Sequence, residues 1–399
     1  LEKKEMISLS KQNVSKETYA EVQKVLESGW WTMGKVTERL EQEFADYIGV
    51  KHAVAVNSCS MALWLAIQVN KLSLTERFCH VLTSPLTFCS TINAIIYNDL
   101  VPFLIDVDKK TQCIDLDVDL DSAEKYGEFY FQGIVPVHFA GQSCDQDTLS
   151  KLKEKYHIWI VEDCAHAIET KWRSQHVGTF GDCGCYSFNP TKNIAAPEMG
   201  MAVTNNDETA EKIRRLRIHG MDADASKRVD SPGRYNIVDL GYKANCTDLE
   251  AVIALQQLRE VEDNWYKRED IWFDYNLVFD RFRKEGIFNG NTPIIEAMKV
   301  DRTVHGLHLY TIQLGNRDKF IMEMRKENIC CGIHYKPIHL HPYYQERFGW
   351  KKGQFPNAEW IGEHTVSLPL GPGMTYEDVE YIVDRIHKIL KKGDYLING

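Results

Sequence analysis

The most constraining stretch of this sequence is short. Residues 158–161 form an apolar run that breaks without transition into Glu162, Asp163, Cys164, Ala165 and His166. A run of this length, closed off by charge, suits a strand buried on both faces of a parallel sheet. Ligands of open α/β sheets sit beyond the carboxyl ends of such strands, which is where Asp163 and His166 fall. A second strand is expected at 184–188, leading into a loop that carries Lys192. The pattern sets a carboxylate beyond one strand and an amine beyond another.

That pair has a specific chemical use. An amine can form a Schiff base with the aldehyde of pyridoxal phosphate (PLP), and an acid can keep the pyridine nitrogen protonated so that the ring takes up electrons. Taken alone, the two residues prove little. An Asp at a strand end is more often a helix cap or turn former than a catalyst. A loop Lys is ordinarily a solvated charge. The rest of the chain supplies the context.

At 399 residues, 44% hydrophobic and 26% charged, the composition is that of a soluble enzyme with two domains, or one large and one small. The formal net charge of −10 speaks against a nucleic-acid binder, though a pocket can be locally positive on an acidic protein. No apolar run approaches membrane-spanning length. The first residues lack the basic-then-apolar pattern of a signal peptide, so a cytoplasmic enzyme is expected. The eleven cysteines follow no zinc or thioredoxin-type spacing and read as free thiols. No Gly-x-Gly-x-x-Gly or Walker pattern supports a dinucleotide site or P-loop.

Helices are expected at 15–28, ended by Gly29, and at 36–48, ended by Gly49. Between them, Trp30, Trp31, Thr32, Met33 and Gly34 make a loop whose two indoles either cover a ligand or pack between elements. A strand at 53–56 turns through Asn57, Ser58, Cys59 and Ser60 into a helix at 61–69. Small hydroxyl residues at a helix start suit a phosphate, or serve as plain caps. Strands at 79–83, 101–105 and 134–137 alternate with helices at 89–97 and 148–156, which argues for a mostly parallel sheet. Beyond the central stretch come a strand at 202–204, a helix at 210–218 and a polar segment at 220–235, a surface loop or a subunit contact. Thr247 to Glu250 has capping-box spacing and opens a long, bent helix reaching Lys284. The remainder reads as strands at 307–313 and 331–335 with helices at 319–327 and 377–391, a smaller α+β unit.

In this order the motifs resemble the DegT/DnrJ/EryC1/StrS family of sugar aminotransferases, PLP enzymes of fold type I. The resemblance is carried by residues 57–63, 85–91, 136–141, 162–167, 178–182, 187–193, 219–220, 241–248, 334–339 and 367–370. Each motif is unspecific; their order along one chain is not. The Gly-Tyr-Lys at 241–243 and the His-Tyr-Lys-Pro at 334–337 look most like the branch that aminates a UDP-4-keto-pentose in lipid A modification.

The resemblance implies an α/β chain with a large PLP-binding domain over 1–250, built on a mostly parallel seven-stranded sheet. An interdomain helix and small C-terminal domain would occupy 251–399. Lys192 is implied as the Schiff-base lysine and proton carrier, Asp163 as partner of the pyridine nitrogen, and His166 as a contact of the phenolic oxygen. Phe88 would stack on the ring, and Cys59, Ser60 and Ser187 would hold the phosphate. Asn245 and Lys243 would reach the phosphate from a partner subunit, so a homodimer would share its active sites. Trp31, Thr32, His334 and Tyr335 are implied sugar-nucleotide contacts. The implied substrates are a nucleotide-linked keto sugar and an amino donor, glutamate. Two departures stand out: Met199 replaces a glycine of the usual Glu-Gly-Gly, which questions the local backbone, and Cys59-Ser60 replaces Gly-Thr. A competing reading builds a zinc site from His334, His339 and His341; a third keeps PLP or a nucleotide sugar as a regulatory ligand.

Overall fold

The computed structural model describes residues 5–72, 79–117, 131–222, 234–292 and 300–397. Its amino-terminal half opens with α1 (Lys16–Ser28) and α2 (Lys35–Ile48), followed by β1 (His52–Val56) and α3 (Cys59–Asn70). Then come β2 (His80–Thr83), α4 (Cys89–Ile96), β3 (Val101–Leu104), β4 (Phe131–Ile134), α5 (Gln146–Tyr156) and β5 (Trp159–Asp163). A small hairpin of β6 (Lys171–Trp172) and β7 (Gln175–His176) precedes β8 (Cys183–Ser187), β9 (Gly200–Thr204) and α6 (Asp207–Leu216). The caps are chemical. The Ser15 hydroxyl accepts the Thr18 N–H, and Gly29 and Gly49 end α1 and α2 at φ 69° and 83°.

Seven strands form one sheet in the order β1-β9-β8-β5-β4-β2-β3. β9 runs against both of its neighbours, while the pairs β8–β5, β5–β4, β4–β2 and β2–β3 are parallel. All strands but β9 therefore share one direction, and the carboxyl ends of β1, β5 and β8 open on the same edge. Side chains alternate between two cores, as period two demands. Ala53, Ala55, Met201 and Val203 join Phe44, Phe188 and Leu255 on one face. Val54, Val56, Ala202, Cys183 and Cys185 meet α3 on the other. With both faces covered, the sheet has the three-layer form expected of near-continuous apolar strands.

The second half starts with α7 (Asp248–Arg259) and α8 (Val261–Lys284), joined at Glu260. The long helix expected from 247 to 284 is thus two helices meeting at one non-helical residue. The Thr247–Glu250 capping box is present, and Asp248 also accepts the Gly34 and Thr37 N–H groups, capping α2 from 211 residues away. A separate core gathers Tyr275, Phe279, Tyr310, Ile312, Val366, Leu368, Ile382 and Ile386, and it includes Ile7 from the amino-terminal end. That core draws on α8, β10 (Tyr310–Gln313), α9 (Arg317–Lys326), β11 (Thr365–Leu368) and α12 (Tyr376–Lys392), whereas α10 (Pro342–Phe348) and α11 (Pro356–His364) pack toward the sheet half through Tyr344, Ala358 and Ile361.

Several expectations need correction. The strand read at 134–137 lies at Phe131–Ile134; Val137 keeps only an isolated bridge to Asp163. No strand forms at 331–335, where Gly332 alone bridges Ser367; the partner of β10 is β11, which was not foreseen. β10 starts three residues late because Leu307 sits at φ 48°. Most of the polar segment at 220–235 lies outside the described residues. No helix among the described residues is long and apolar enough to cross a membrane.

Candidate active site

A cavity of about 450 Å³ opens at the carboxyl edge of the sheet, between the strand ends and the segment 334–335 of the second half. Cys59, Ser60, Phe88, Asp163, His166, Ser187, Lys192, His334 and Tyr335 all line it, although they come from points spread over 277 residues of chain. Trp31, Thr32, Lys243 and Asn245 do not. Thr32 bridges Thr247, Trp31 turns its indole N–H to the Leu26 carbonyl, and Lys243 donates to Asn245 Oδ1 at 2.6 Å. Trp31, Thr32 and Lys243 are exposed and Asn245 half-buried, all outside the cavity.

At the floor, β1 hands over to α3 through Ser58, whose hydroxyl accepts the Met61 N–H. The Cys59 and Ser60 N–H groups, first in the helix, have no intrahelical acceptor, and the helix dipole adds to their pull on an anion. Ser187 ends β8 opposite Gly200 of β9. A Cβ at Gly200 would collide with the Cys59 nitrogen and the Ser58 carbonyl carbon, so this glycine permits the close approach. Met199 needs no such freedom. It is absent from the positive-φ positions and buries its side chain beside Phe188 and Phe44, so its place in the motif carries no backbone strain.

Asp163 is almost fully buried. Its Oδ2 accepts the Thr91 hydroxyl at 2.7 Å and its Oδ1 the Ala165 N–H at 3.1 Å. Burial raises its pKa above the ordinary value despite these donors and the nearby Lys192. A carboxylate with only two donors keeps acceptor capacity for a third, which a protonated ring nitrogen in the cavity would use. Lys192 follows a tight turn in which its N–H donates to the Asn189 carbonyl. Desolvation by burial brings its ammonium down to a pKa of about 8, with Cys59 and Asp163 opposing.

His166 is held neutral, well below its usual pKa, by burial and then by Lys192 and His308. Its Nδ1 accepts the Ala140 N–H at 3.1 Å, so its proton sits on Nε2. That Nε2–H faces the Tyr335 hydroxyl at 3.1 Å. Tyr335 is pushed up in pKa by burial, and Phe88, 58% exposed, stands at the mouth with its ring 6.0 Å from the Tyr335 ring. His334 is depressed to about 4, chiefly by burial, and its Nδ1 meets the Ser367 hydroxyl at 2.7 Å.

Sequence reasoning missed the supports behind these groups. Asn193 donates to Glu169 and to the Gly306 carbonyl, which leaves its oxygen to accept from His308 Nδ1 at 2.9 Å. The His308 ring lies 4.3 Å from that of His166, and Glu169 is ion-paired with the buried Arg268 of α8. Only the adjacency of Asn193 to Lys192 was visible beforehand. The zinc alternative fails on geometry: His334 meets Ser367, His339 meets Glu359, and His341 packs by Tyr344, with no common centre. The metal-like trio among the described residues is His138, Glu162 and Cys164, and there His138 and Glu162 bond each other at 2.9 Å.

The sheet order and an amine facing a buried carboxylate across one cavity define the class: a PLP-dependent enzyme of fold type I. An anion-ready helix start, spare acceptor capacity on Asp163 and the cradle at Gly200 all fit that cofactor. Comparison with known proteins narrows the class. The chain belongs to the DegT/DnrJ/EryC1/StrS aminotransferase family, whose profile matches residues 12–387. It is 38% identical over 390 residues to the spore coat polysaccharide biosynthesis protein SpsC of Bacillus subtilis, covering 96% of each chain. Among solved structures it resembles Helicobacter pylori PseC, an aminotransferase involved in pseudoaminic acid biosynthesis (TM-score 0.85, 25% identity, 98% of this chain and 100% of that one). It also resembles the putative sugar aminotransferase Spr1654 of Streptococcus pneumoniae in its PMP form (TM-score 0.85, 26% identity, 97% and 99%). The protein is a PLP-dependent aminotransferase.

Proposed function

We propose that the protein moves an amino group from L-glutamate to the 4-keto position of a nucleotide-linked sugar, making an amino sugar for a surface polysaccharide or other glycan. The carrying observation is the single cavity shared by the Lys192 amine, the buried Asp163 carboxylate and the open start of α3. PLP, when bound, supplies an electron sink and a carrier for the amino group.

The chain's own residues do the rest. Asp163, ionised by a cationic partner, holds a proton on the ring nitrogen. Lys192, with a pKa of about 8, is neutral often enough near pH 8 to take a proton from one carbon and return it to another. His166 presents a fixed Nε2–H donor, here facing Tyr335, to the phenolic oxygen. The Cys59 and Ser60 N–H groups and the Ser187 hydroxyl would hold the phosphate, and Phe88 would cover the ring. His334 and Tyr335 form the wall nearest the sugar.

We also propose a homodimer working in the cytoplasm. The PLP-binding unit would span 1–250 and the smaller one 251–399, with Ile7 crossing into the second core and Leu255 into that of the sheet. Supporting the dimer, Trp31, Thr32, Lys243 and Asn245 lie outside the cavity that Lys192 and Asp163 line. The exposed Ile237, Val238, Leu240 and Tyr242 sit in or just before that segment. Subunits carrying Lys192→Ala mixed with subunits carrying Asn245→Ala should regain activity that neither homodimer has. No regain would reject the shared site.

For the chemistry, Lys192→Ala should lower turnover by on the order of 10²–10⁴-fold or more with unchanged circular dichroism. Borohydride should fix PLP to the Lys192 peptide of the wild type and not of the variant. Parallel double-reciprocal lines are expected with glutamate and a 4-keto-sugar nucleotide; near-normal turnover of the variant would overturn the assignment.

A further inference from the structure

The amino-terminal strap, residues 5–13, bonds both to the segments flanking His334 in the second half and to the turn that carries Lys192. The Ile7 N–H donates to the Asn328 carbonyl at 2.8 Å, and its carbonyl accepts the Cys330 N–H at 2.9 Å, four residues before His334. The Leu9 and Lys11 carbonyls accept the Leu370 and Gly373 N–H groups at 2.9 and 2.8 Å, and Lys11 pairs with Asp378 at 3.0 Å. A Cβ on Gly371 or Gly373 would strike the strap backbone, so the two segments lie flush.

The next residue crosses to the sheet. Gln12 Nε2 lies 3.1 Å from the Pro190 carbonyl and 3.0 Å from the Lys192 carbonyl, with the Ser10 hydroxyl at 2.9 Å. Its amide thus holds the two carbonyls on either side of Thr191, while the Asn13 carbonyl accepts from Gln257 of α7. Apart from Gln12, the backbone of this turn is held by Asn189, whose carbonyl and side chain cap it locally, and by the Asn193 side chain at its far end. Lys192 hangs from the middle of it on a flexible stem.

We propose that Gln12 is the positioning residue of the catalytic lysine, setting the Lys192 main chain relative to the wall that carries His334 and Tyr335. A backbone shift of about 1 Å is enough to cost on the order of 10²-fold in such a geometry. The inference rests on the proposed role of Lys192, and its test is separable from that role.

The wild type, Gln12→Ala, Gln12→Met and, as a strap control, Lys11→Ala are compared. Gln12→Met keeps the length and loses the donors without adding charge, so it still reports if the alanine variant folds poorly. Three readouts are taken: the pH dependence of the visible band of the PLP-loaded protein, the pH dependence of acetylation at Lys192 without PLP, and amide hydrogen exchange over 189–193. In both Gln12 variants the acetylation midpoint should rise by about one unit toward an ordinary lysine, the band should titrate at a shifted pH, and exchange should quicken. Lys11→Ala should match the wild type in all three. Wild-type midpoints and exchange in folded Gln12 variants would overturn the proposal, as would equal shifts in Lys11→Ala. If the wild type takes up no PLP, the proposed function fails, and acetylation and exchange still decide the role of Gln12.

Discussion

Two carboxylates stand side by side at the end of β5, and the sheet separates their fates. Glu162 points to the closed side. It accepts from His138 Nε2, Gln146 Nε2 and the N–H groups of Gly178, Phe180 and Gly181, all between 2.7 and 3.1 Å. Burial opposes its charge, but the His138 bond and charge together with these backbone donors outweigh burial and hold its pKa below the ordinary value. Asp163 points to the cavity with two donors, and there burial wins. A buried charge with a full set of partners is a structural pin. One left short of partners is a site waiting for a cation.

The comparison can be broken by experiment. The largest effect is expected from Asp163→Asn, which should cut turnover by roughly 10²–10³-fold, the scale of losing one preorganised charge. The PLP-free variant should be at least as stable as the wild type, because the amide mimics the protonated acid that burial favours. Urea denaturation beside a steady-state assay checks both halves. Loss of stability in this variant would show that Asp163 is a pin as well.

Glu162→Ala should do the reverse. Removing a fully buried, fully bonded carboxylate leaves His138, Gln146 and three backbone N–H groups without their acceptor, at a cost of about 3–5 kcal/mol in denaturation midpoint analysis. Activity per folded molecule should fall far less than in Asp163→Asn. If both variants lose stability alike, the two sides of the strand are equivalent and the distinction fails.

The smallest effect is a difference in slope with pH. Glu162 has a depressed pKa when folded, so its stabilisation is complete above the ordinary carboxylate range and is lost as pH falls through the folded value. Asp163 has a raised folded pKa, so its contribution is present in acid and is lost as pH rises through that value. Subtracting each variant's stability from that of the wild type over roughly pH 2 to 7 should give curves of opposite slope, that of Glu162 changing below the ordinary carboxylate range and that of Asp163 above it. Slopes of the same sign would mean that the two carboxyls titrate alike.

Much of this site was legible in the chain. The apolar run before Glu162 announced a buried strand, and the alternation of strands with small-residue turns announced a parallel sheet with its ligand at the carboxyl edge. Of the nine expected residues that converge, seven sit at or just past a strand end or a helix start, positions that local pattern can locate, and His334 and Tyr335 come from an irregular segment of the second half. What failed to read was non-local. The antiparallel course of β9 looks no different from a parallel strand in sequence. The strand expected at 331–335 shrinks to a single bridge, Gly332 exchanging both backbone hydrogen bonds with Ser367 of β11, and β11 is the partner of β10. Met199 seemed to demand a glycine's freedom, yet the glycine that matters is Gly200, whose constraint comes from Cys59 and Ser58, some 140 residues away.

By itself, then, the sequence located most strands of the main sheet and the order of motifs, and it singled out Lys192 and Asp163 as candidates, since these depend on side-chain period and spacing along the chain. Tertiary structure alone decided which acid is pinned and which is open, how Asn193 meets His308 across 115 positions, and that Gln12 grips the lysine turn across 178 and 180. Burial and hydrogen-bond satisfaction are properties of a packed neighbourhood, and no local window of residues contains the neighbours.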